Sequence, residues 1–151
     1  MKFLPLLFLI VCGCAPTLPR SFFIDTDCNL SLVEGEINGK KTYFIIDTGA
    51  GITCVDVNQS SHFGFSFTDD EISVAGYNND IGEVKMATGI KSIKIKDVDI
   101  SGDVIYTHDL SNLVRFIEQC AHKRIGAIIG VPVIRRYGLV IDLTNQKLYR
   151  N

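Results

Sequence analysis

The sequence predicts a mostly β single domain with one or two short helices, and three observations predict it. First, the runs "CNLSLVEGEI" and "KKTYFIID" flank Asn38-Gly39, a dipeptide that favours the tight turn of a β-hairpin. Second, Ile90, Ile93, Ile95, Val98 and Ile100 alternate roughly with Lys and Asp in "GIKSIKIKDVDI", the pattern of a half-buried antiparallel strand or hairpin. Third, one segment differs in period. In "DLSNLVRFIEQCAHKR", Leu110, Leu113, Val114, Ile117 and Cys120 recur at helical spacing, and Asp109 or Ser111 is placed to cap the start. The chain has 151 residues, 46% hydrophobic and 9% aromatic, which suits one domain with a real core. Net charge is -2 with no basic stripe, so nucleic acid is not an expected partner. No interior run approaches the ~20 apolar residues that span a bilayer.

Taken in order, the elements begin with "MKFLPLLFLIVCGCAP". Lys2, an apolar run from Phe3 to Val11 broken by Pro5, and then small residues have the layout of a secretory signal peptide, assigned to residues 1–13. "VCGC" resembles the lipobox of bacterial lipoproteins, with Cys14 as the lipidated residue. Val11 stands where Leu is usual and Cys12 is an odd middle residue. The expectation is export across the inner membrane as a periplasmic or outer-membrane lipoprotein of a bacterium, held to the membrane by a lipid anchor. Residues 14–28 form an N-terminal stalk and 29–151 the domain. With Cys12 gone, Cys28, Cys54 and Cys120 remain, an odd number that excludes a complete disulfide framework. Cys54 in "ITCV" and Cys120 on the helical stripe are expected as buried thiols. One oxidised pair is compatible with an oxidising compartment, but the sequence does not say which. His62, His108 and His122 are isolated and expected at the surface. No Cys/His ligand spacing occurs, so no metal and no cofactor are inferred.

The chemistry-bearing stretch is "YFIIDTGAGITCV". An apolar strand ends on Asp47, and the next residues, Thr48, Gly49, Ala50 and Gly51, are small. A carboxylate at a strand end loses hydration, and glycines beside it admit close approach of backbone or ligand. That arrangement suits a peptide-like substrate lying across an acid. The plain alternative is a turn in which Asp accepts backbone N–H bonds and Gly relieves the backbone. "GAIIGVPV" weakly repeats the pattern, running small residues out of an apolar strand. It leads into "VPVIRRYG", expected as a short helix, and then the strand "LVIDL". Asp142 there is followed by Leu143 and Thr144, and reads as an ordinary strand-end residue. "SVAGYNNDIG", Ser73 to Gly82, is a glycine-bracketed polar tip between strand-like runs.

"DTGA" after two bulky apolar residues resembles the active-site motif of aspartic peptidases. "AIIG" resembles the second apolar-apolar-Gly element of the retropepsin-like group, and Ser73–Gly82 occupies the place of its flap. "YGLVIDLTNQKLY" resembles the end of bacterial single-domain members. The resemblance covers about Asn29 to Tyr149. It implies a retropepsin-like closed β-barrel and an aspartic endopeptidase acting on polypeptides. Asp47 matches the catalytic aspartate, Thr48 the residue whose hydroxyl ties two active-site loops together, and Gly49 a residue along the substrate backbone. Ala50 stands where pepsin-like relatives carry Ser. Gly76 and Tyr77 of the flap and Gly130 complete the expected substrate-binding set. With one D-T-G per chain, catalysis implies a homodimer with a water between two Asp47 carboxylates that share a proton. Two departures stand out. The helix Asp109–His122 lengthens the span before "AIIG", and only Arg150 and Asn151 follow Tyr149 where retroviral enzymes interlace terminal strands. The alternative from another class is a non-catalytic binding or interaction domain that keeps the fold.

Overall fold

The computed structural model describes residues 21–75 and 81–150. Its strands are β1 (Ser21–Phe23), β2 (Leu32–Ile37), β3 (Lys40–Ile46), β4 (Cys54–Asp56), β5 (Ser66–Ala75), β6 (Ile81–Thr88), β7 (Ile93–Ile95), β8 (Val98–Asp99), β9 (Tyr106–His108), β10 (Ile125–Ile129), β11 (Leu139–Asp142) and β12 (Lys147–Arg150). The helices are α1 (Ser60–Phe63), α2 (Ser111–Ala121) and α3 (Val131–Arg136). The mostly β expectation holds. Strands form a nine-stranded sheet in the order β5-β6-β9-β4-β10-β3-β2-β7-β8 and a three-stranded sheet in the order β1-β12-β11.

The turn between β2 and β3 is the one that Asn38-Gly39 announces. Both residues have positive φ, 49° and 78°, as a two-residue hairpin of this hand requires. Asn38 does more than turn the chain. Its Nδ2 donates to the carbonyls of Phe63, Gly64 and Gly89, and its Oδ1 accepts from the amides of Lys91 and Ser92. One side chain thus fastens three loops. The alternating run forms the small β7–β8 hairpin, with Ile93, Ile95, Val98 and Ile100 fully buried and the lysines outside. The apolar stripe of α2 packs on a second small core of Leu32, Ile45, Ile117 and Ile125, while the main core is built on Phe44, Val55, Phe63 and Ile129. The N-cap of α2 is Leu110, with no side-chain cap; Asp109, one of the two expected caps, instead accepts the amide of Ser111 at 2.9 Å in the turn that leads into the helix. Asp142 serves the β11–β12 turn by accepting from the amide and side chain of Asn145.

Three further features differ from expectation. Cys120 is not a buried free thiol: it forms a disulfide with Cys28 across 92 positions, with a Cα–Cα distance of 6.1 Å. Helical spacing put Cys120 on the stripe, but at the end of α2 the stripe meets the N-terminal segment rather than the core. Among the described residues, Cys54 alone is a free, buried thiol. Residues 21–28, assigned to the stalk, belong to the folded body. β1 pairs with β12, and Ile24 is fully buried in the main core. Lys123 adds ion pairs to Asp25 and Asp27 beside the disulfide, so that segment is clamped to the end of α2. Finally, α1 was not anticipated, because four residues are too short to show a helical period. It follows a helical turn capped by Asp56, whose carboxylate accepts the amide of Asn58.

Candidate active site

The topology at the centre of the large sheet explains the small residues after Asp47. β10 lies parallel to β3 and antiparallel to β4, and it sits between them. The connection from β3 to β4, residues 47–53, therefore has to cross the end of β10. The weak repeat noted in the sequence is a real neighbour relation: Ile45 and Ile46 stand opposite Ile128 and Ile129, which brings Asp47 and Gly130 out of adjacent strands at the same level.

Gly130 is the residue the loop crosses. A Cβ there would lie 2.1 Å from the carbonyl oxygen of Ile52 and 2.7 Å from that of Ala50. No other residue fits without moving that backbone. The close approach is used: the amide of Val131 donates to Ala50 O at 2.9 Å, and the amide of Gly130 donates to Thr53 Oγ1 at 3.0 Å. Asp47 N donates to Ile129 O at 3.0 Å, which pins the start of the loop. Thr53 is 2% exposed, so its hydroxyl bond to Gly130 is shielded from water.

Asp47 is half-buried, and its Oδ1 accepts the amide of Gly49 at 2.8 Å. A Cβ on Gly49 would approach that same oxygen to 3.2 Å, so the missing side chain is what gives the carboxylate its backbone donor. Thr48 and Gly49 are exposed, Ala50 is half-buried, and a Cβ at Gly51 would meet nothing within 4 Å. The loop thus projects Asp47 and its flanking small residues toward open space. Gly130 is buried beneath the loop. Gly76, Tyr77 and Cys14 lie outside the described residues.

Beside the loop is a cleft of about 460 Å³. It is lined by Ala50, Ile52, Cys54 and Ile128 and, from the β5–β6 hairpin, by Val74, Gly82 and Val84. That hairpin carries the segment expected as the flap. His108 and Leu110, from the end of β9 and the approach to α2, form another wall. Burial pushes the Cys54 thiol up to about 12, so it is a neutral apolar part of the lining. A second cavity of about 450 Å³ lies elsewhere, among Glu34, Lys41, Tyr43, Lys96 and Arg124, away from Asp47.

Three participants were missed in the sequence. Thr53 reads as one more β-branched residue in "ITCV", and only the crossing of β10 reveals the hydroxyl's role. Asp56 is 2% exposed, and its Oδ1 accepts the amide of Leu110 at 3.2 Å, holding a cleft wall in place. His108, expected as an isolated surface residue, is exposed but stands at the cleft.

No protein-family model matches the chain, and no curated protein matches it significantly. Solved structures do. The chain is similar to a retropepsin-like aspartic protease from Rickettsia conorii, at 15% identity and a TM-score of 0.55, covering 86% of this chain and 88% of that one. It also matches the retroviral protease-like domain of Ddi1 from Leishmania major, at 15% identity and a TM-score of 0.47, covering 81% and 88%. The fold of this chain is retropepsin-like.

Proposed function

We propose that the chain is an aspartic endopeptidase that works as a homodimer, each subunit contributing one Asp47. The observation that carries this reading is the loop itself. Asp47 sits half-buried at the mouth of a loop fastened over Gly130, with a backbone donor at 2.8 Å and an apolar cleft alongside. An isolated turn needs neither the crossing nor the cleft.

In the proposed reaction two Asp47 side chains meet across a two-fold axis with one proton and one water between them. Two carboxylates so close cannot both ionise, so one is charged and one protonated. The charged one takes a proton from the water, whose oxygen attacks the scissile carbonyl carbon. The protonated one gives its proton to the carbonyl oxygen. Collapse of the resulting diol, with a proton passed to the nitrogen, breaks the C–N bond. Thr48, Gly49 and Ala50, with Gly76 and Tyr77 of the flap, would lie along the substrate. The contact of Gly130 with the loop supports a role in holding Ala50 and Ile52.

The disulfide supports export, because such bonds persist in oxidising compartments. We read residues 1–13 as the signal peptide and Cys14 as the lipid anchor of a periplasmic or outer-membrane protein. Tethering two copies to one membrane raises their effective concentration, so a weak dimer can form there. The test compares the free domain, two domains fused in tandem, and a tandem carrying Asp47→Asn in one half. Peptide hydrolysis by the tandem but not by the half-substituted tandem is expected. Full activity in a strictly monomeric free domain overturns the shared-aspartate mechanism. Inactivity in every form, with no binding of a transition-state mimic, moves the reading to a non-catalytic binding domain.

A further inference from the structure

Resting on the peptidase reading, we infer that His108 determines specificity by recognising an acidic side chain next to the apolar side chain that fills the cleft. The lining is otherwise apolar or backbone: Ala50, Ile52, Val74, Val84, Leu110 and Ile128 offer no charge, and Cys54 stays a neutral thiol. Among these described lining residues, His108 is the one side chain that can carry a positive charge.

The backbone geometry aims and fixes this residue. Alternation along β9 turns Thr107 inward, where it is 3% exposed, and leaves His108 on the open side. The chain after it is held rigidly. Asp56 accepts the amide of Leu110, and Asp109 accepts both the amide of Ser111 and the side chain of Asn58. Asp109, bonded to Ser111 and Asn58, also feels the charge of His108. Asp56 is the register partner of His108 on β4 and accepts four donors, from Asn58 (amide and Nδ2), Gln59 and Leu110. On β6, Lys85 stands opposite Thr107, one position away, and pairs with Glu71 at 3.6 Å. The His108 side chain is exposed at this rim and open to a ligand.

An apolar substrate side chain over Ile52, Val84 and Ile128 places its neighbour at the rim, beside His108. A protonated imidazole there donates to a carboxylate, a charge-assisted bond that a neutral amide makes less well. Held at an exposed rim, the interaction is worth about a three- to fivefold preference for Glu over Gln.

The experiment uses matched peptides that differ only in Glu, Gln or Lys beside one apolar residue. Dissociation constants are measured on the chain carrying Asp47→Asn, which holds substrate without cutting it. Values of kcat/KM are measured on the native chain or its tandem at pH 5.5. The Glu/Gln ratio is expected to be about three to five, to fall to about one in His108→Gln and to persist in His108→Lys. A ratio near one in the native chain, or one that survives His108→Gln, overturns the proposal. Binding with the Glu preference but no cleavage supports this role of His108 and refutes the peptidase reading. No binding of any peptide overturns both.

Discussion

Replacing Gly130 by Ala should dislocate the loop that carries Asp47. The added Cβ would sit 2.1 Å from Ile52 O, and 2.7 Å from Ala50 O. Contacts to carbon are favourable only at roughly 3.5 Å, so the loop has to retreat by about 1.4 Å. Both partners are backbone, so no rotamer change relieves the clash. Overpacking of this kind costs about 1–3 kcal/mol. The retreat also strains the bonds Val131 N to Ala50 O and Gly130 N to Thr53 Oγ1, each worth about 1 kcal/mol. The sum, roughly 3–5 kcal/mol, is a large part of the ~5–15 kcal/mol that stabilises a domain. Denaturant titration should show the midpoint falling with the slope unchanged. If the tandem form is active, its kcat should drop by about a hundredfold or more, because a displacement of that size misplaces the carboxylate. The control is Gly51→Ala, where a Cβ meets nothing within 4 Å, and stability should change by less than about 0.5 kcal/mol. If Gly130→Ala is as stable as Gly51→Ala, the loop does not cross Gly130 as described.

Three other outcomes are expected. Reducing the Cys28–Cys120 bond, or replacing both residues by Ser, should lower stability by about 2–4 kcal/mol, read as a denaturant midpoint that responds to reductant in the native chain only. Asn38→Gly keeps the positive φ of the turn but removes five side-chain hydrogen bonds, and should cost about 2–4 kcal/mol; a loss under 0.5 kcal/mol would mean the rivet is not formed. On the β5–β6 hairpin, a hydrogen bond that the protonated Glu83 carboxyl donates to Glu71, with repulsion by the Glu71 charge, holds Glu83 above its ordinary value of 4.5. A folded pKa raised above the unfolded one stabilises the hairpin at pH below the ordinary value, and the benefit is lost as pH rises through the folded value. Hydrogen-exchange protection of these two strands, corrected for intrinsic rate, should therefore weaken from pH 4 to pH 7, and Glu83→Gln should abolish the trend.

What the sequence made legible, and what it did not, follows the range of the interactions. Asn38-Gly39, the alternation from Ile93 to Ile100 and the stripe of α2 are local patterns, and each formed the element it announced. The apolar-then-small motif at Asp47 and its faint echo at Gly130 were visible as well, because both strands end at the same level and face the same constraint. The interactions across the fold were hidden. Thr53 is a loop fastener only because β10 comes between β3 and β4, and no spacing within "ITCV" encodes that insertion. Cys28 and Cys120 are 92 positions apart, and their pairing depends on β1 joining β12, so that the segment read as a stalk is drawn onto α2. The same joining bears on assembly. β12 is already paired on both sides within its own chain, by β1 and β11, so it has no free edge to exchange. A dimer that shares two Asp47 side chains therefore has to form through other surfaces, or through the outer strands β1 and β11 of that sheet. Such a contact, lacking interlaced terminal strands, is expected to be weak and to gain most from fusion or a shared membrane.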